Sequence, residues 1–243
     1  MKIFNDYLCR QLKGGGMEIN MKREVDIKDI SDGRLYGPND LVKADCGDCK
    51  GCFSCCQGMG ESIVLDPYDI YRLTTGLNLS FEALLEDKIE LNVFDGMILP
   101  NLKMAGSKEA CAFLNEEGRC SIHSIRPGIC RLFPLGRFYE DGGFKYFLQI
   151  HECKNQNRTK VKVKKWIDTP DLKQNEKYIL AWHDFVKEIQ EKMMTVKDDA
   201  LFKKVNMFLL EHFFIERYQK DDFYKQFDER LEKAKIIVSM LIK

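Results

Sequence analysis

The cysteines of this chain are concentrated in one short segment. Ten cysteines occur among 243 residues, and five of them lie within residues 46–56 in the order Cys46-x2-Cys49-x2-Cys52-x2-Cys55-Cys56. Cysteines three residues apart can bring their sulfur atoms onto one metal ion or one face of an iron–sulfur cluster. The segment therefore predicts a metal-binding region. The remaining cysteines are Cys9, Cys111, Cys120, Cys130 and Cys153.

The first ten residues do not resemble a secretory signal. They carry charged or polar residues at every few positions and no apolar run followed by small residues. The longest strongly apolar run, at residues 236–242, is far shorter than the roughly 20 residues of a membrane-spanning helix. We therefore expect a soluble, cytoplasmic protein. In that reducing compartment, clustered cysteines favour metal ligands over disulfides.

Charge and composition exclude some classes of partner. The chain has 38 basic and 38 acidic residues and a formal net charge of zero, which argues against nonspecific binding to nucleic acid or to an anionic membrane. Hydrophobic residues make up 44% of the sequence, enough for a true core. We expect any partner to be a protein or a small molecule.

Two metal chemistries suit the cysteine segment. A thioredoxin-like Cys-x-x-Cys site is disfavoured because no βαβ pattern leads into it. Ferredoxin sites combine a Cys-x2-Cys-x2-Cys run with a fourth, remote thiolate, whereas zinc sites usually draw two ligands from each of two knuckles. The remote cysteines do not form a second Cys-x-x-Cys, so the spacing favours an iron–sulfur cluster, with 4Fe-4S preferred, over zinc.

The cysteines outnumber the ligands of a single site. Because adjacent side chains diverge, Cys55 and Cys56 are not expected to occupy equivalent positions in one site, and one of them suits a second centre. Two four-ligand sites need eight thiolates, and the spacing leaves open which sulfur serves which site. Cys46 and Cys9 are the weakest candidates. The predicted metal ligands are Cys49, Cys52, Cys55, Cys56, Cys111, Cys120, Cys130 and Cys153.

The ordered motifs over residues 46–153 resemble a known family. They are the run from Cys49 to Cys56, Cys111 before Phe113-Leu114, Gly118-x-Cys120-Ser121-Ile122-His123, Arg126-Pro127-x-x-Cys130-Arg131-x-Phe133-Pro134, and Cys153. This set is similar to the CxxCxxCC, or YkgJ-type, proteins, which are described as zinc- or iron-chelating. The resemblance implies that the eight cysteines are ligands.

A relative of that family widens the range of expected chemistry. The flagellin lysine methylase is thought to pair a similar cysteine motif with a 4Fe-4S cluster and S-adenosylmethionine. The resemblance therefore implies that S-adenosylmethionine and methyl transfer are possible here, although no residues of this chain match a methyl-donor site. The expected function is an iron–sulfur protein for redox or group-transfer chemistry. The alternative is a zinc-stabilised binding module without catalysis.

Several polar residues accompany the predicted ligands. His123 could be a ninth ligand, although a hydrogen-bonded supporting role is favoured. Arg126 and Arg131 flank Cys130, where they could stabilise thiolate charge, bind an anion or form a packed, salt-bridged turn. His183 and His212 lie on predicted amphipathic helices outside any His-Glu-x-x-His pattern, which favours surface or interface positions.

The sequence predicts an α+β fold in three parts. Residues 1–43 are expected to be an irregular arm, 44–155 a cysteine-rich metal domain with short strands, and 156–243 a helical region packed with it. Gly14–Gly16 is interpreted as a flexible linker. The basic residues 154–165 are interpreted as a solvated connector, with contact with an acidic partner as the alternative.

Local patterns predict the regular elements. Residues 62–65 look like a buried strand, Asp66 and Ser80 like caps of two successive helices, and Asp141–Gly143 like a hairpin turn. Apolar residues three and four apart predict three amphipathic helices, over residues 179–193, 201–213 and 223–241.

Overall fold

The structure is a computed structural model that describes residues 26–47, 52–155, 157–220 and 222–242. Helices and small separate sheets alternate, so the predicted α+β class is confirmed. The chain divides into two compact units. The cysteine unit comprises the described residues up to Leu65 together with Leu102–Ala181, and the helical unit comprises Asp66–Asn101 and the described residues from Trp182 onward. The three-part division at residues 43/44 and 155/156 stays a prediction.

The regular elements of the described residues are numbered in chain order. The α-helices are α1 (Ile27–Ile30), α2 (Pro67–Leu77), α3 (Phe81–Asp87), α4 (Gly128–Leu132), α5 (Val163–Ile167), α6 (Leu172–Met193), α7 (Asp199–Leu210) and α8 (Phe223–Leu241). The strands are β1 (Ser31–Tyr36), β2 (Leu41–Asp45), β3 (Ile89–Phe94), β4 (Met97–Leu102), β5 (Met104–Ala105), β6 (Ala110–Cys111), β7 (Leu135–Glu140), β8 (Gly143–Gln149) and β9 (Thr159–Lys162). Single 3₁₀ turns occupy Ser54–Cys56 and His123–Ile125, and a π-helical turn at Glu211–Ile215 follows α7.

The helical unit begins as the sequence predicts. Asp66 caps α2 in a capping box, in which its carboxylate accepts from the Asp69 amide at 2.8 Å and the Asp69 carboxylate accepts in return from the Asp66 amide. Ser80 caps α3 through the Ala83 amide. Both predicted caps are confirmed.

The core of the helical unit is aromatic. Trp182 of α6 lies edge-on to Phe213 and Phe227, with ring centroids 5.1 and 6.2 Å apart. Phe213 and Phe227 are fully buried. The three predicted C-terminal helices are confirmed as α6, α7 and α8. No helix of the described residues is both long enough and apolar enough to cross a membrane.

One tight turn in this unit requires glycine. Asp95 and Gly96 connect β3 and β4 with φ values of 45° and 78°, as in an Asp-Gly hairpin turn. A Cβ at Gly96 would lie 3.1 Å from the Cβ of Met193, at the end of α6. Glycine is needed here for both its positive φ and its small size.

The cysteine unit is built on paired strands. β8 lies between β1 and β7, and β2 pairs with β9, all antiparallel. The predicted hairpin around Asp141–Gly143 is confirmed as the β7–β8 turn. The hydrophobic core of the cysteine unit includes Val42, Ala44, Leu135, Tyr146, Leu148, Val163 and Trp166.

Three sequence expectations were wrong in detail. The expected irregular arm contains β1 and β2, because pairing with the distant strands β8 and β9 orders residues whose local pattern shows no strand signal. Residues 62–65 form no strand, although Ile63 and Leu65 are buried and the Ile63 carbonyl accepts from the Leu102 amide at 3.0 Å. The expected connector contains β9 and α5, although its lysines are exposed. The Gly14–Gly16 linker lies outside the described residues.

His212 also differs from expectation. It was predicted at a surface or interface, yet it is buried and its Nε2 lies 3.0 Å from the Arg230 carbonyl oxygen. The π-helical turn directs its ring towards α8. Burial lowers the pKa of His212, so the neutral ring is favoured.

Candidate metal centre

Four cysteines line one small pocket in the cysteine unit. They are Cys46, Cys52, Cys55 and Cys153. The apolar part of the wall comes from Phe133, Pro134 and Trp166, and Ser54, Glu152 and Lys154 complete it. The indole Nε1 of Trp166 donates to the Phe133 carbonyl oxygen at 3.1 Å, which fixes this wall. We call this site the thiol pocket.

The cysteines reach the thiol pocket from three parts of the unit. Cys46 directly follows β2, Cys52 and Cys55 come from the segment around the 3₁₀ turn, and Cys153 follows β8. Cys153 is 9% exposed, while Cys46, Cys52 and Cys55 are half-buried. Three cysteines of the N-terminal run therefore meet a cysteine about 100 residues away along the chain.

A second group of thiols lies on a small β-structure. Cys111 is on β6, and Cys120 pairs with Leu114 in a β-bridge. A bridge between Gln57 and Ala110 brings Cys56 next to this structure. Charges on Cys111 and Cys120 both act on the Cys56 thiol. We call Cys56, Cys111 and Cys120 the hairpin thiols.

Cys55 and Cys56 connect the two groups. Cys55 lines the thiol pocket and also shares a hydrogen bond with Cys56. That bond lowers the pKa of Cys55 to about 7 and, with desolvation, raises the pKa of Cys56. The pair therefore releases one proton readily and holds the second strongly, since two adjacent thiolates repel each other. A metal cation removes that repulsion.

Three arginines place positive charge near the thiols. Burial raises the pKa of Cys120 and of Cys153, and nearby arginines oppose that effect. Arg126 and Arg119 act on Cys120, and Arg158 acts on Cys153. Two buried nitrogens of Arg158, Nε and Nη1, have no hydrogen-bond partner among the described residues. A half-buried cation with such nitrogens suits an anionic centre made of several thiolates.

His123 and Arg126 form a pair beside the thiols. Nη1 of Arg126 lies 2.9 Å from Nε2 of His123. Because arginine can only donate, Nε2 accepts this hydrogen bond and its lone pair is not available to a metal. This geometry favours the supporting role for His123 that the sequence suggested.

Arg131 has a structural position. It is 5% exposed, and its guanidinium donates to the carbonyl oxygens of Asp168 at 2.7 Å and Ser124 at 2.6 Å. These bonds tie α4 to the 3₁₀ turn before it and to the end of α5. Of the roles that the sequence left open for Arg131, the structure favours part of a packed turn over anion binding.

The structure brings together most, but not all, of the eight predicted ligands. Cys130 lies on α4 and is not among the residues that line the thiol pocket. Cys49 lies outside the described residues. Cys46, a weak candidate from sequence, lies in the pocket. The eight described cysteines form no disulfides with one another.

The donor set fits a soft metal. Thiolates are the ligands that zinc and iron–sulfur clusters prefer, whereas calcium and magnesium prefer oxygen. In the described part of the chain, no group of three or more His, Cys, Asp or Glu side chains is already arranged to hold an ion. The neighbouring thiols would therefore reorient their side chains when a metal binds.

Comparison with known proteins identifies the family. The family model CxxCxxCC, described as "Putative zinc- or iron-chelating domain", matches residues 48–169. The chain belongs to the CxxCxxCC family. The match spans half of the chain and supports metal binding, by zinc or iron, as its function. Searches of curated proteins and of solved structures found no match.

Sequence reasoning missed two residues of this site. Arg158 was part of the supposedly solvated basic stretch, and no local signal distinguishes it from the lysines around it. Cys46, a weak candidate from sequence, continues the alternation of Val42 and Ala44, the two buried residues of β2. That alternation places Cys46 on the buried face once β2 is known, but the strand itself depends on pairing with the distant strand β9.

Proposed function

We propose that this CxxCxxCC protein carries an iron–sulfur cluster in its thiol pocket and uses it for redox or group-transfer chemistry with a protein or small-molecule partner. The observation that carries the proposal is the meeting of Cys52 and Cys55 with Cys153 in one pocket. Ferredoxin sites join consecutive Cys-x2-Cys steps to a remote thiolate in this manner. The fourth thiolate comes from the N-terminal part of the same run.

The chemistry of the pocket supports a cluster more than a lone zinc ion. Bound iron–sulfur clusters supply one-electron transfer, and their potential depends on burial and on hydrogen bonds to sulfur. Here the apolar wall of Phe133, Pro134 and Trp166 limits solvent on one side, and Arg158 compensates negative charge. Cys153 is the most buried of the four pocket thiols and anchors the proposed ligand set.

The hairpin thiols support a second centre. Charge on Cys111 and on Cys120 acts on the Cys56 thiol, and Cys55, which also lines the thiol pocket, acts on both Cys56 and Cys120. We propose that they hold zinc or iron apart from the pocket cluster. Cys130 stays a predicted ligand that is assigned to neither centre.

Replacement of Cys153 tests the cluster. The variant Cys153→Ser is purified without oxygen and compared with Cys9→Ser, a control at a cysteine outside the predicted ligand set. We expect Cys153→Ser to lose most of its iron, acid-labile sulfide and visible absorption, and Cys9→Ser to keep them. Full retention of the absorption by Cys153→Ser would contradict the proposed ligand set.

The alternative function is a zinc-stabilised binding module. It is favoured by the small size of the strand pairs around the hairpin thiols, because structural zinc often folds regions with little apolar core. Under this alternative the purified protein is colourless, holds zinc and contains no acid-labile sulfide. S-adenosylmethionine and methyl transfer rest on family resemblance alone. Binding of S-adenosylmethionine by equilibrium dialysis is their direct test.

A further inference from the structure

We propose that Cys46 supplies the fourth thiolate of the centre in the thiol pocket. This inference rests on the proposed metal-binding function and names one of its ligands. The CxxCxxCC match begins at residue 48, so Cys46 lies outside the matched residues. Its assignment as a ligand therefore depends on the residues that surround Cys46 in this structure.

Cys46 lies at the thiol pocket. It lines the cavity together with Cys52, Cys55 and Cys153, so four cysteines surround one site. Charges on Cys46 and Cys52 both act on the Cys153 thiol, so these three groups are electrostatic neighbours. Four thiolates are the complete ligand set of a 4Fe-4S cluster and of a structural zinc ion.

Strand β2 places Cys46 beside the hydrophobic core. The residue follows β2, in which Val42 is 1% exposed and Ala44 is 0% exposed. Alternate strand residues share a face, and Cys46 packs against the same core cluster as these two. This packing limits the motion of the Cys46 backbone before any metal binds, which lowers the entropy cost of ligation and leaves only the side chain to reorient.

A turn begins directly after Cys46. Gly47 has a φ of 69°, and its amide donates to the Asp45 carboxylate at 2.9 Å. Thr159 of β9 donates its hydroxyl to the same carboxylate at 3.4 Å. The chain therefore leaves the direction of β2 immediately after Cys46, which remains the last residue fixed by the strand.

The decisive experiment compares ligand replacements in the full-length protein. Cys46→Ser, Cys46→His, Cys49→Ser and Cys9→Ser are prepared without oxygen, and iron, sulfide and zinc are measured per chain. Metal-free protein is then titrated with Zn²⁺ against a competing chelator. Groups that only support a ligand contribute about 10–100-fold to metal affinity, so loss of a true ligand should weaken Zn²⁺ binding at the pocket by more than about 100-fold.

The expected pattern separates ligation from packing. Cys46→Ser should lose the pocket metal, Cys46→His should regain part of the Zn²⁺ affinity because imidazole is a zinc ligand, and Cys9→Ser should match the parent. Equal metal content and affinity in Cys46→Ser and the parent would overturn the inference. Loss in Cys49→Ser without loss in Cys46→Ser would overturn it too. A parent protein that binds no metal would instead refute the proposed function itself.

Alkylation of the parent protein gives a readout without mutation. Trypsin cuts after Lys43 and Lys50, so one peptide contains both Cys46 and Cys49, and fragment masses tell them apart. We expect Cys46 to be protected from iodoacetamide in the metal-loaded protein and modified after chelation. Equal modification of Cys46 in both states would count against ligation even if a variant failed to fold.

Discussion

At the residue scale, arginines have different roles around the same thiols. Arg131 is buried and donates to two backbone carbonyl oxygens, whereas Arg126 and Arg158 act on thiols through their charge. From sequence, Arg126 and Arg131 could not be told apart, since both flank Cys130. Only the long-range approach of Asp168 to Arg131 separates their roles.

A substitution at Arg131 tests its structural role. Arg131→Met leaves the carbonyl oxygens of Ser124 and Asp168 without this donor. Hydrogen bonds to charged groups contribute about 1.5–3 kcal/mol each, so we expect the loss of both bonds to lower the free energy of unfolding by about 3–6 kcal/mol. Urea unfolding followed by tryptophan fluorescence measures this, with Lys165→Met at an exposed position of α5 as control. An equal effect of the two substitutions would contradict the assignment.

The titration of His212 predicts a dependence of stability on pH. Its folded pKa is lowered, chiefly by burial and also by the charges of Lys233 and Arg230, while the hydrogen bond to the Arg230 carbonyl and the charge of Glu216 oppose the shift. Because the unfolded state binds this proton more tightly, the contribution of His212 to stability is full above about pH 6.5 and is lost as pH falls towards the lower folded value. His212→Gln should reduce the loss of stability between pH 7 and pH 5. Parallel pH profiles of the parent and the variant would contradict this.

At the scale of elements, local signals are reliable where a helix carries its own cap. Asp66 and Ser80 were predicted as caps because their side-chain oxygens can accept from amides two or three residues ahead, an interaction that needs no distant partner. β1 and β2 were missed because their pairing partners are about 115 residues away along the chain. The same distance explains why Cys46 could not be assigned to a pocket with Cys153.

The cap of α2 provides a test with a close control. Asp66→Ala removes the acceptor for the Asp69 amide, and we expect it to lower the free energy of unfolding by about 1 kcal/mol. Asp66→Asn keeps a side-chain oxygen at the cap and should retain most of this stability. Chemical denaturation of the two variants measures the difference. Equal losses would mean that charge, and not capping, is what Asp66 contributes.

A substitution in the buried face of α8 is expected to lower the free energy of unfolding more than loss of the α2 cap. Phe227 is fully buried against Trp182 and Phe213, and Phe227→Ala should cost about 3–5 kcal/mol. Ile236 lies on the same helix but is 56% exposed, so Ile236→Ala should change stability little. Thermal unfolding separates the two, and similar midpoints for both variants would refute the packing described for α8.

At the scale of the whole molecule, cysteine placement divides the chain. All eight described cysteines belong to the cysteine unit, and the described residues of the helical unit contain none. Sequence spacing predicted this concentration. It also suggested two sites, on the expectation that the side chains of Cys55 and Cys56 diverge, whereas a hydrogen bond joins the two thiols in the structure, and the two sites stay a prediction. Sequence spacing could not assign the remote thiols, since strand pairing at Gln57 and Ala110 decides which of them meet.

The metal content of the protein tests the central claim most directly. The full chain is purified without oxygen, iron, zinc and acid-labile sulfide are quantified, and the visible spectrum is recorded before and after dithionite. The iron–sulfur account predicts a brown protein that contains iron and sulfide and bleaches on reduction. A colourless protein without iron or acid-labile sulfide would contradict it.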